Sequence, residues 1–138
     1  MPQHITLSAK TMVETARSQI KEHTAADMLA LAKDPHVVMV DIRDPRELER
    51  DGRIPGAFHA TRGMLEFWID PASPYYKPVF GEDKRFVFFC GSGWRSALAT
   101  KAAQDMGLKP VASLAGGFTA WKAAGYPAKT TSKPGNSA

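Results

Sequence analysis

Cys90 is the only cysteine of the chain, and its neighbours decide what it can do. It ends the apolar run Arg85-Phe86-Val87-Phe88-Phe89, and Gly91, Ser92, Gly93, Trp94, Arg95 and Ser96 follow it. A free cysteine without such context is usually a small buried hydrophobe. Here the two glycines let the backbone curl and turn N–H groups inward, and successive inward N–H groups make a concavity for an anion. A helix starting at about Arg95 would add its unpaired N–H groups and the positive end of its dipole. That setting favours a thiolate, the nucleophilic form of cysteine. Arg95 can add a fixed charge or simply begin the helix. Ser92 and Ser96 can donate hydroxyls or serve the turn. Trp94 can wall the site or stand exposed for a partner.

The elements around this loop follow from local signals. "HVVMVDI" (36–42) is a continuous β-branched run, as expected of a strand buried on both faces, and "RFVFFC" (85–90) is a second. "GAFHA" (56–60) and "PVASL" (110–114) read as shorter strands. Between them lie helical stretches. "TAADMLALAK" opens on a Thr24 cap and ends at Asp34-Pro35. Asp44-Pro45-Arg46-Glu47 combines a cap, a first-turn proline and a capping box. "RGMLEFWI" is helical, "RSALATKAAQDM" stops at Gly107, and "FTAWKAA" stops at Gly125. Residues 1–19 form an N-terminal helical arm, with a capping box at Thr11 and Glu14 and with Val13, Ala16 and Ile20 on one face. This arm packs on the domain or mediates a homodimer; the sequence leaves both open. Residues 20–127 are then the domain, and the polar 128–138 a flexible tail.

Alternating strands and helices predict an α/β domain with a mainly parallel sheet. Ligands of such sheets bind beyond the carboxyl ends of the strands, where Cys90, Asp41 and Arg43 all fall.

Composition narrows the classes. With 138 residues, 43% hydrophobic and 23% charged, the chain suits one globular domain. The +4 net charge is spread along the sequence, with no basic stripe for nucleic acid. No apolar run is long enough to span a bilayer, and the first residues lack a secretory pattern. A single cysteine excludes an intrachain disulfide, and a reducing, cytoplasmic setting is expected. The four histidines are dispersed, so neither a metal nor another cofactor is expected.

The stretch Cys90-Gly91-Ser92-Gly93-Trp94-Arg95-Ser96 resembles the active-site loop of single-domain rhodanese-like sulfurtransferases. "VDIRDPRELERDGRIPGAFHA" (40–60) and "LAGGFTAW" (114–121) resemble two further blocks of that family, in the expected order. The resemblance implies a rhodanese-like fold with a five-stranded sheet. It also implies that Cys90 takes a sulfane sulfur from thiosulfate or a related small anionic donor and holds it as a persulfide. A thiol or protein acceptor, or cyanide, then removes it. The family's Asp-x-Arg block makes Asp41 and Arg43 scaffolding for the loop. Gly116 and Gly117 are expected to allow close backbone packing, Trp121 to lie in the core, and His59 to be structural. The aromatic segment 61–83, with Phe67, Trp68 and Tyr75, is expected to cover the sheet rather than gate the site.

Three rivals remain. A cysteine phosphatase shares the loop logic but needs five residues between cysteine and arginine. This chain has four, Gly91 to Trp94, which suits a sulfur atom better than a phosphoryl group. Arsenate reductases share the cradle. A non-catalytic binding module generally lacks the loop cysteine, which is present here.

Overall fold

The β-branched run forms β2 (Val37–Asp41) and the second apolar run forms β4 (Arg85–Phe89), side by side and parallel, with Val38 opposite Phe86 and Asp41 opposite Phe89. They are the centre of a five-stranded sheet in a computed structural model that describes residues 2–130. β3 (Phe58–His59) pairs with β2, β5 (Val111–Leu114) pairs with β4, and β1 (Lys21–His23) closes the far edge on β5. The order is β1-β5-β4-β2-β3, with every pairing parallel. The expected α/β architecture is therefore observed. β1 is the strand that the local pattern did not reveal: Lys21-Glu22-His23 has no apolar alternation, and it is a strand because the edge of β5 offers it a ladder.

Alternation along β4 divides the core. Phe86, Phe88 and Cys90 face one layer with Val40, Ile42, Leu65, Ala99 and Ala103. Val87 and Phe89 face the other with Met28, Met39, Ile54, Phe118 and Trp121. Burying side chains of this size contributes about 1.5–3 kcal/mol each, which is why the central strands tolerate almost nothing polar.

The helices start and stop where their caps dictate. α2 (Ala25–Leu31) opens on a Thr24–Asp27 capping box and α3 (Pro45–Asp51) on an Asp44–Glu47 box. The predicted helix at 62–69 is a 3-10 turn, Arg62–Met64, running into α4 (Leu65–Ile69). α5 (Trp94–Met106) begins one residue earlier than expected and ends at Gly107 in the left-handed region. α6 (Gly117–Ala123) follows β5 directly.

The arm contains α1 (Ala9–Arg17), but its cap is Ser8 and not Thr11, whose own N–H donates to Ser8 Oγ. Val13 and Ala16 are buried against Ala97 of α5, with Ile20 and Leu98 at the margin, and Gln104 Nε2 donates to Gln19 O. The arm packs on the domain. The expected flexible tail needs one correction: Lys129 exchanges two backbone hydrogen bonds with Arg53 at 2.9 Å, so residues 128 and 129 are tied to the domain. Residues 131–138 of that tail lie outside the described residues. Among the described residues, no helix is long and apolar enough to cross a membrane.

The Cys90 loop as candidate active site

β4 delivers Cys90 to the carboxyl end of the sheet, and α5 leaves four residues later. Cys90 is fully buried at the floor of the intervening loop. Gly93 N–H donates to Cys90 Sγ at 3.1 Å, and Ser96 Oγ lies 3.7 Å from Sγ. Gly93 makes this possible with a φ of +104°, a left-handed conformation that other residues rarely adopt. Ser96 Oγ is bonded in turn to Ser113 Oγ at 2.9 Å. Both serines are fully buried, so Ser113 on β5 fixes the hydroxyl that faces the sulfur. Sequence reasoning did not single out Ser113. The one available signal was a polar residue in an otherwise apolar strand.

The loop's outward carbonyls are tied to α6. Phe118 N–H donates to Cys90 O at 2.8 Å and Thr119 N–H to Gly91 O at 2.9 Å. With these carbonyls held outward, the loop's interior is left to N–H and O–H donors. Gly117, with a φ of +57°, lies so close to these carbonyls that no side chain fits. The expected close backbone packing is thus observed at Gly117, where it serves the loop, while the space at Gly116 is closed by Ala120 of α6 itself.

Asp41 and Arg43 form a fully buried, bidentate ion pair, Arg43 Nη2 to Asp41 Oδ2 at 2.8 Å and Nε to Oδ1 at 3.0 Å. Arg43 also donates to Gly52 O at 2.9 Å and lies over the Phe118 ring at 4.2 Å. The pair braces α6, and α6 braces the loop. Removing one partner of a buried pair leaves an uncompensated charge, at a cost of about 3–5 kcal/mol. Asp41→Asn is accordingly expected to lower unfolding stability by about 3 kcal/mol. A urea midpoint equal to that of the parent would refute the scaffolding role.

Arg95 is at the rim, half-exposed, and it is engaged. Its Nη1 and Nη2 each donate at 2.8 Å to the carboxylate of Glu47 on α3, a partner that sequence reasoning gave only a capping role. The bond from Arg95 holds the Glu47 carboxyl down at about 2, against the opposing effect of burial. Arg95 is held above its usual value chiefly by Glu47, with a smaller contribution from Cys90.

The remaining predicted residues are placed as follows. Ser92 and Trp94 are exposed at the rim, where they line a small cleft of about 80 Å³ with Gly93, Gly116, Arg17 and Glu22. The N-terminal arm therefore reaches the loop through Arg17, which is bonded to Glu22 at 3.1 Å. A larger cleft of about 400 Å³ opens beside Gly91, lined by Arg43, Asp51, Phe118, Thr119 and Lys122. His59 is structural, with Nε2 2.6 Å from Arg43 O. Trp121 is buried and donates to Pro127 O. Within 61–83, Leu65, Ile69 and Phe80 enter the core, while Phe67 and Tyr75 pack edge to face on the surface; none of the three aromatics named above lines either cleft.

Comparisons with known proteins agree with this geometry. The family model described as Rhodanese-like domain matches residues 24–124. YtwF of Bacillus subtilis, whose name marks it as a candidate sulfurtransferase, is 32% identical over 105 residues, 75% of this chain and 92% of that protein. The Arabidopsis thaliana protein named dual specificity phosphatase Cdc25 is 30% identical over 127 residues, 86% of this chain and 83% of that one. A solved structure from Rhodopseudomonas palustris, titled as of unknown function and a possible tyrosine phosphatase, is 63% identical with a TM-score of 0.91, covering 94% of this chain and 99% of that one.

Proposed function

From the chain's membership of the rhodanese-like domain family, we propose that it is a sulfurtransferase working through a persulfide on Cys90. The observation that carries the reading is the loop itself. Four residues separate Cys90 from Arg95, and they curl so that the Gly93 N–H donates to Sγ, while the Ser96 hydroxyl beyond them lies 3.7 Å from it. So short a loop suits a sulfur atom better than a group with oxygens of its own.

In the first half-reaction the Cys90 thiolate attacks the outer sulfur of thiosulfate or a related donor. A bond forms between Sγ and that sulfur, the donor's S–S bond breaks, and sulfite leaves with the electron pair. In the second, an acceptor thiolate or cyanide attacks the terminal sulfur, and the pair returns to Cys90. Donors preorganised around Sγ stabilise the anion at both ends of the cycle. Two covalent steps through one intermediate give ping-pong kinetics. Cys90 has no solvent-exposed surface, so a donor reaches Sγ only as the surrounding loop gives way.

The rival is phosphoryl transfer, favoured by the names of two of the matched proteins. Against it stand the short loop and the occupied fork of Arg95. The test runs thiosulfate:cyanide sulfur transfer beside hydrolysis of a generic aryl phosphate. Sulfur transfer is the expected outcome, with a mass increment of one sulfur atom on Cys90 after exposure to thiosulfate. Phosphatase turnover without sulfur transfer would overturn the proposal.

A further inference from the structure

We infer that Glu47 is a specificity-determining residue: by occupying both arms of Arg95 at the rim of the Cys90 loop, it keeps tetrahedral oxyanions such as phosphate from binding there.

A guanidinium fork recognises a carboxylate and a phosphate with the same two parallel N–H donors. In this protein the carboxylate is built in. Both terminal nitrogens of Arg95 are committed to Glu47 at 2.8 Å. Glu47 is also held from its own side, because Oε2 accepts the Asp44 N–H at 2.9 Å within the capping box of α3. The carboxylate is therefore fixed whether or not Arg95 is there. The pair lies directly over the loop. A Cβ added at Gly91 would be 3.4 Å from Arg95 Nη2 and 4.0 Å from Glu47 Oε1.

The charge consequence is direct. Without Glu47, Arg95 would present a free cation and two aligned donors beside Cys90, the combination that attracts an oxyanion. With Glu47, the pair is neutral in sum, and an approaching dianion finds both aligned donors of Arg95 already taken. The other cation near the pair, Arg43, is neutralised by Asp41. The arrangement suits transfer of a sulfur atom, in which sulfite has to leave the loop and an anionic acceptor has to approach it. That purpose rests on the sulfurtransferase reading; the exclusion of oxyanions does not.

The test needs no turnover. Inorganic phosphate is titrated against the full chain, and binding is read directly by isothermal titration calorimetry. Glu47→Gln is expected to bind phosphate at least tenfold more tightly than the parent, and because the gain depends on freeing Arg95, it is expected to vanish in the double variant Glu47→Gln/Arg95→Met. If Glu47→Gln does not fold, Glu47→Met, which keeps the length without the charge, takes its place. Equal affinity in the parent and the single variant, or a gain that survives removal of Arg95, would overturn the inference. Failure of the parent to load sulfur would overturn the proposed function and leave this result standing.

Discussion

Cys90→Ser is expected to reduce sulfur transfer by at least about a thousandfold, because the step that carries the sulfur has no other nucleophile to use. Cys90 is the sole cysteine of the chain, and a serine hydroxyl neither ionises in this range nor forms a persulfide. The substitution is nearly isosteric. A serine Oγ in the same place meets the Gly93 N–H and the Ser96 hydroxyl that now face sulfur, so the new polar group is not left without partners. Stability should therefore change by no more than about 1 kcal/mol. The measurement pairs thiosulfate:cyanide turnover and intact mass with a urea unfolding curve. Retained transfer by a well-folded serine variant would remove Cys90 from the mechanism. Loss of both activity and folding would make it a core residue first.

The second large effect is expected at a residue that has no side chain of its own. Gly117→Ala places a methyl 2.4 Å from Cys90 O and 2.7 Å from Gly91 O, both backbone atoms with little freedom to move away. The same residue has a φ of +57°, where an L side chain adds its own strain. Relief requires α6 to withdraw, which breaks the hydrogen bonds from Phe118 N–H and Thr119 N–H that hold the loop carbonyls outward. We expect a stability loss of about 3 kcal/mol from strain and overpacking together. Sulfur transfer should fall about a hundredfold, the scale on which a displacement of roughly 1 Å in a reacting geometry is felt. Gly107→Ala is the control. Gly107 is also left-handed, at +102°, but an added Cβ would meet nothing within 4 Å. That variant should lose only about 1 kcal/mol and keep its activity. If the two glycine variants behaved alike, close approach of α6 to the loop would not be what shapes the site.

These expectations share one structural idea. The Cys90 loop is held by a short inner circle of groups, and each member is fixed by a group one layer further out. Ser96 is fixed by Ser113, the loop carbonyls by α6, α6 by the Arg43–Asp41 pair through Phe118, and Arg95 by Glu47. Catalytic groups that are preorganised in this way cost little reorganisation during reaction.

The sequence by itself determined the parts that depend on neighbours within a few residues. The strands at 37–41 and 85–89 follow from unbroken apolar runs, and the starts of α2 and α3 follow from the cap at Thr24 and the four-residue capping box at Asp44–Glu47. The position of Cys90 between a buried strand and a helix is equally local, as is the four-residue gap to Arg95. Only the tertiary structure decided which distant groups meet there. Glu47 reads as a helix-capping residue until α3 and α5 are brought together across 48 positions, and then it proves to hold Arg95 as well. Ser113 reads as an irregularity in a strand until β5 lies beside β4 and turns its hydroxyl to Ser96. Lys21-Glu22-His23 carries no strand signal at all, because an edge strand can take its order from the ladder it joins. Local signals fix elements because caps and periodicities act over one or two turns. Partnerships across the sheet depend on strand order and register, which emerge only when the whole chain has found its place.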